Sequence, residues 1–130
     1  MASVLKVDTL TGVTTAGSIA VTGEGNSTTT NLQSGLAKMF VRANSSAVTT
    51  STDSFNTSSG TDLGTGNYDH EFTNNMSATV YSVNSCAQTS AAKMGSYSNL
   101  RTTAIEVDMH DNNGSNSDTG HSIQVFGDLA

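Results

Sequence analysis

Four residues near the C-terminus carry the side chains of metal ligands: Asp108, His110, Asp111 and His121. Carboxylate oxygens and imidazole nitrogens together suit several divalent ions. Asp108 and His110 fall on one face of a period-two run, and a hairpin closing onto His121 would bring the set together. The D-M-H-D spacing is not a specific metal signature. The primary reading is therefore a polar strand face with surface histidines, and neither a metal nor any other cofactor is expected. In a trimer, one histidine from each chain, His110 or His121, could meet its copies on the threefold axis and hold an ion. The run Asp111 to Asp118 offers oxygen donors of the kind calcium takes, but it lacks the twelve-residue spacing and closing Glu of an EF-hand. It reads as an exposed hairpin tip.

Nucleophilic and acid–base chemistry has less support. The chain has no G-x-S-x-G elbow. Asp69 and Glu71 share a strand face, but nothing marks a cleft with the paired acids of a glycosidase. Cys86 falls on a face read as mostly buried, where a thiol behaves as a small hydrophobe. The triplets Asn26-Ser27-Thr28 and Asn56-Thr57-Ser58 match glycosylation sequons, as chance predicts in so Ser-, Thr- and Asn-rich a chain. These residues point away from an enzyme.

The elements that position them are strands. Between Asp53 and Met76, a segment around Phe55 passes through Gly60, Gly64 and Gly66 and then alternates strictly. Tyr68, His70 and Phe72 lie on one face; Asn67, Asp69, Glu71 and Thr73 lie on the other. A period of two is the mark of a half-buried strand, and glycines before it permit a tight reversal. Residues 101–110 alternate as cleanly, with Thr103, Ile105, Val107 and Met109 inward and Glu106, Asp108 and His110 outward. His121 to Phe126 follows, with Ile123 and Val125 inward. Further strands are expected at 37–44, where Lys38, Phe40 and Arg42 form an outward contact face, and at 78–87. Ala47-Val48-Thr49 is a brief candidate, and residues 88–99 read as a small-residue loop. Leu32 to Leu36 makes one short turn. Upstream, residues 4–10 alternate with apolar groups on both faces, residues 18–22 form a short strand, and residues 23–31 form a polar linker. No window sustains helical periodicity, so short strands spaced by Gly and Asx turns predict an antiparallel sandwich.

Composition agrees. The chain has 130 residues, 35% hydrophobic and only 12% charged, with no proline. Roughly two fifths of it is Ser, Thr or Asn, far above ordinary usage. Low charge and alternating apolar runs favour a β-rich fold over disorder. A net charge of −6 argues against nucleic-acid partners, which require Lys and Arg to displace counterions. The single cysteine excludes an intramolecular disulfide. Nothing approaches the ~20 apolar residues of a membrane helix, and the N-terminus lacks the basic start and apolar run of a secretory signal. No membrane insertion is expected.

The pattern D-S-F-N-x-S-S-x-T-D-x-G-T-G-x-Y, then an alternating strand ending in F-T-N, resembles a recurrent C-terminal module of small virion proteins from marine tailed bacteriophages. These sit in short tail fibres and in fibre- or knob-like surface proteins. The resemblance extends to L-K-V-D-T-L-T-G-V-T-T-A-G-S-I-A-V-T-G-E-G, to N-L-Q-S-G-L-A-K-M-F-V and to I-Q-V-F-G-D-L-A, so it covers most of the chain. The chain departs from it at Met39-Phe40, where a small residue and Trp are usual, and in the acidic Asn-rich loop.

The resemblance implies an all-β, trimeric, non-enzymatic virion surface protein assembled in the host cytoplasm. Residues 1–31 would be an attachment and trimerisation segment acting through Val4, Leu5, Val7, Leu10, Ile19 and Val21, with other virion proteins as partners. Residues 32–130 would be a jelly-roll-like β-sandwich presented outward. Host glycan or protein would meet Asn112, Asn113, Ser115, Asn116 and Asp118. A capsid decoration protein is the nearest alternative; a glycan-processing enzyme of the host envelope is a more distant one.

Overall fold

Alternating side chains leave one apolar face per strand, and such faces are buried by stacking one sheet on another. The computed structural model describes residues 4–12, 19–22, 29–45, 53–88 and 92–127. The chain forms two compact units, Met1–Gly35 and Leu36–Ala130.

In the first unit, β1 (Ala20–Thr22) pairs antiparallel with β2 (Thr29–Asn31), and a single turn, α1 (Leu32–Gly35), follows. The Leu32 N–H donates to the Ile19 carbonyl at 2.8 Å. The expected linker thus ends in a strand. The expected strand at 4–10 does not form: these residues are exposed and pair with nothing among the described residues. A lone strand leaves its backbone groups to water, so alternation without a neighbour does not define one.

The second unit is all-β. One antiparallel sheet has the order β4 (Asp53–Phe55), β3 (Ala37–Ala43), β10 (Gly120–Phe126), β7 (Ser82–Gln88). The other has β5 (Thr57–Gly64), β6 (Asn67–Phe72), β9 (Ala104–Asp111), β8 (Lys93–Leu100). The core between them holds Met39 and Val41 from β3, Tyr68 and Phe72 from β6, Ile105, Val107 and Met109 from β9, Ile123 and Val125 from β10, and Met76. The ring-bearing face of β6 and the inward faces of β9 and β10 are those the alternation predicts. So is the reversal between β5 and β6, where Gly64 and Gly66 take positive φ.

Several expectations are corrected. Residues 93–100 form β8 rather than a loop; this edge strand is held by its ladder to β9 and carries few apolar side chains to betray it. At Gly95 an added Cβ would lie 3.1 Å from Ser85 Cβ of β7, so this side of the sandwich closes only over a bare backbone. Lys38 is buried, unlike Phe40 and Arg42. The β3–β10 register shifts there, from Met39↔Val125 to Ala37↔Phe126, so Lys38 is the extra residue of a bulge and leaves the alternation. Cys86 is exposed, because β7 turns the Val83 and Ala87 face toward the core. Thr103 precedes β9 and is exposed. Residues 78–80 precede β7, which starts at Ser82. Ala47-Val48-Thr49 and the sequon at Asn26 lie outside the described residues.

The two sheets are joined after β4 by Asn56, whose φ of 57° is uncommon for a residue with a side chain. Its amide explains the choice. Nδ2 donates to the carbonyls of Lys38 (2.9 Å) and Asn74 (3.0 Å), and Oδ1 accepts the Asn74 N–H (2.6 Å). This sequon asparagine is buried, with its amide fully used within the fold. Asn56→Gly keeps the φ but orphans three backbone groups; Asn56→Asp sets a carboxylate against two carbonyls. Each is expected to cost about 2–4 kcal/mol, read as a lower midpoint in denaturant unfolding. Stability within error of the parent in both variants would contradict this account.

Candidate functional site

The segment from β9 to β10 carries all five predicted contact residues, and its course begins at Asp111. The Asp111 carboxylate oxygen Oδ1 accepts the N–H groups of Asn113 (2.8 Å) and Ser115 (2.9 Å). These donors, Ser115 first, hold its pKa below the ordinary carboxylate value. The Asp111 N–H donates to the Ser115 carbonyl at 2.8 Å, and Gly114 turns the chain with φ +81°. Asn116 then bridges back to His110, and the Ser117 N–H donates to the Met109 carbonyl at 2.9 Å. Residues 111–116 therefore fold back on the end of their own strand.

The chain does not continue as the expected β9–β10 hairpin. It crosses to the other sheet, because β9 pairs with β6 and β8 while β10 pairs with β3 and β7. Asp118 fixes the crossing. Its Oδ1 accepts the Gly66 N–H (2.7 Å) and the Tyr68 hydroxyl (3.4 Å). Lys93 Nζ donates to the Asp118 carbonyl (2.9 Å) and to Ser117 Oγ (2.7 Å). The Tyr68 oxygen also accepts the Thr119 N–H at 3.3 Å, and burial pushes the Tyr68 pKa up. Gly66 is required twice over: a Cβ there would lie 2.5 Å from the Met109 oxygen and 2.6 Å from the Ser117 nitrogen, on a backbone of positive φ.

The predicted contact residues thus separate into two groups. Asn112, Asn113, Ser115 and Asn116 are exposed together at the tip, offering amide and hydroxyl donors and acceptors. Asp118 is exposed as well, but its Oδ1 is engaged by Gly66 and Tyr68, which ties it to the scaffold. The metal-like set does not assemble. Asp108 and His110 lie on the outer face of β9, with His110 Nε2 3.1 Å from Ser96 Oγ, whereas His121 is fully buried on β10 between the sheets. Among the described residues no group of three or more His, Cys, Asp or Glu is placed to hold a metal ion.

Two features escaped the sequence. His121 packs against His70, with the Nε2 atoms 2.9 Å apart. The parity of β10 placed His121 with Ile123 and Val125, which was the available signal. On the outer face of the sheet that contains β3, β4 and β10, Phe40 and Phe55 stack with ring centroids 6.0 Å apart, both exposed. The alternation of β3 had put Phe40 outward, but only the β3–β4 register supplies its partner. Of the residues predicted to mediate attachment, Val4, Leu5, Val7 and Leu10 are between 58% and 82% exposed, and Val21 is 52% exposed on β1; Ile19 is half-buried beside it.

No family model, curated protein or solved structure matches the chain.

The division between tip and scaffold has a measurable consequence. Replacing Asn112, Asn113 and Asn116 together with Ala is expected to change stability by less than about 0.5 kcal/mol. Asp118→Ala, which strips the Gly66 amide and Tyr68 hydroxyl of their acceptor, is expected to cost about 1–3 kcal/mol. Chemical denaturation of the two proteins side by side distinguishes them, and equal effects would remove the distinction.

Proposed function

We propose that this chain is a non-enzymatic structural protein of a tailed-phage virion: a short trimeric fibre or fibre-knob that displays a β-sandwich and contacts the host surface. The identity rests on the motif resemblance, which covers most of the sequence. The observation that carries the architecture is the contrast between its two units. Leu36–Ala130 encloses its own core, while Met1–Gly35 leaves Val4, Leu5, Val7, Leu10 and Val21 in water. Apolar side chains in so short a segment gain by burial against another chain. Sister chains and a particle protein are the partners that fit a fibre. The exposed Phe40–Phe55 pair supplies a second apolar contact at a subunit boundary, as aromatic residues commonly do.

The tip residues Asn112, Asn113, Ser115 and Asn116 are the host-contact surface. Loops fixed on a rigid sheet are where binding concentrates. Their amides and hydroxyl match the hydroxyl groups of a glycan, donor for acceptor.

Light scattering of the full chain at micromolar concentration is expected to give the mass of three chains; a monomer mass contradicts the trimer. Deleting residues 1–31 is expected to leave a folded sandwich that is missing from particles. Recovery of the truncated chain on virions at normal copy number would overturn the attachment role. Virions carrying the triple Asn→Ala tip are expected to adsorb more weakly to host cells, whereas unchanged adsorption would favour a decoration protein on the shell.

A further inference from the structure

We propose that His70 and His121 form an acid-released latch, which binds one sheet to the other while both imidazoles are neutral and releases them when the pair is protonated. His70 lies on β6 and His121 on β10, strands of opposite sheets, and both side chains are fully buried. Their Nε2 atoms are 2.9 Å apart, which requires one nitrogen to donate and the other to accept. The neighbouring groups decide which. His121 Nδ1 lies 3.2 Å from the Thr119 carbonyl, which only accepts, so Nδ1 carries the proton of His121. Neutral His121 then has a bare Nε2, and His70 donates to it from Nε2–H. The remaining lone pair, on His70 Nδ1, is buried without a partner.

Acid undoes this arrangement in two steps. A first proton enters at His70 Nδ1, where no acceptor receives the new N–H, and places a positive charge in the core. A second removes the last lone pair between the rings and sets two N–H groups against each other.

The surroundings offer little to offset either charge. Tyr68 of β6 stacks on His121 with centroids 4.5 Å apart, and its hydroxyl stands between the pair and Asp118. Lys93 of β8 is bound to Ser117 and Asp118 at the crossing. Asp62 of β5 is exposed opposite Tyr68, and Lys38 lies at the far end of β3 from Ala43, the partner of His121. The core beside them is apolar, with Met39 and Val41 on β3, Ile105, Val107 and Met109 on β9, and Ile123 on β10, and Ser85 on the inward face of β7 adds only an uncharged hydroxyl. Neither imidazole is hydrogen-bonded to a carboxylate among the described residues.

Burial first, then the adjacent His121, holds His70 down at about 3, and burial lowers His121 as well. In the unfolded chain a histidine takes up its proton near pH 6.5. The stability held by the neutral pair is therefore complete above that pH and is lost as pH falls toward the folded value. From His70 alone, the unfolding constant rises by about 25-fold between pH 7 and pH 5; His121 adds to this.

The test uses the full chain with His110→Gln, which leaves His70 and His121 as its histidines. Nitrogen NMR of the folded protein is expected to find one imidazole protonated on Nδ1 and the other on Nε2, with His70 neutral down to pH 5 and His121 titrating below the ordinary histidine range. Denaturant unfolding is expected to show at least the 25-fold rise. Adding His70→Leu and His121→Leu removes both partners at once and is expected to abolish that rise in a folded protein. If the double variant does not fold, the NMR titration and the unfolding series of the His110→Gln chain decide. Uptake of a proton by His70 between pH 7 and 5 in the folded protein, an unfolding constant that stays level, or a rise that survives in a folded double variant would each overturn the latch.

Discussion

The contact on which the sandwich depends lies where the chain crosses from β9 to β10. There Gly66 is pressed between the Met109 carbonyl and the Ser117 amide, and Asp118 caps the Gly66 N–H and the Tyr68 hydroxyl. Because the crossing is fixed, β10 can enter the opposite sheet in a register that turns His121, Ile123 and Val125 inward together. One end of the core is consequently polar: Tyr68 stacks on His121, and His121 meets His70 edge-on with their Nε2 atoms hydrogen-bonded. The Nε2–Nε2 bond favours this arrangement of the layers, since any other leaves both nitrogens buried and unpaired.

The rest of the core is small for two sheets, and backbone pairing and side-chain amides supply what apolar bulk does not. Asn56 secures the passage from β4 to β5 much as Asp118 secures the passage from β9 to β10. Both are polar side chains bonded to backbone groups of distant segments, the usual means by which a buried connection satisfies its amides. On the outer face of β6, Asp69 pairs with Arg101. Asn67 Nδ2 donates to Glu106 at 3.1 Å, so part of the acidic character of that sheet is neutralised locally. The edge strands β5 and β8 carry register shifts between Asp62 and Gly64 and between Tyr97 and Asn99, which blunt their open ladders.

A rigid two-layer scaffold with a polar tip at one crossing and an apolar segment in a separate unit is suited to display. The tip is free of packing demands, because the Asp111 carboxylate folds it back by accepting the N–H groups of Asn113 and Ser115, and Asp118 holds the crossing. Its sequence can therefore vary while the fold stays fixed. This independence of tip from scaffold is the physical content of the proposed host-contact role.

The sequence by itself determined the strands and their faces wherever alternation was strict: Tyr68, His70 and Phe72 on β6, Ile105, Val107 and Met109 on β9, and Ile123 and Val125 on β10. It also determined the glycine reversal before Asn67 and a polar exposed tip within residues 111–118, because both follow from local backbone demands and from the absence of anything to bury. Only the tertiary structure decided which sheet each strand joins. A ladder is made of backbone groups common to every residue, so nothing in His121 to Phe126 announced that β3 and β7, rather than β9, would be its neighbours. For the same reason β8 looks like a loop in sequence, the Lys38 bulge leaves no mark there, and Asp118 does not stand apart from the other predicted contact residues. Side-chain alternation reports burial on one face; pairing between distant segments is settled by how two sheets close over a shared core.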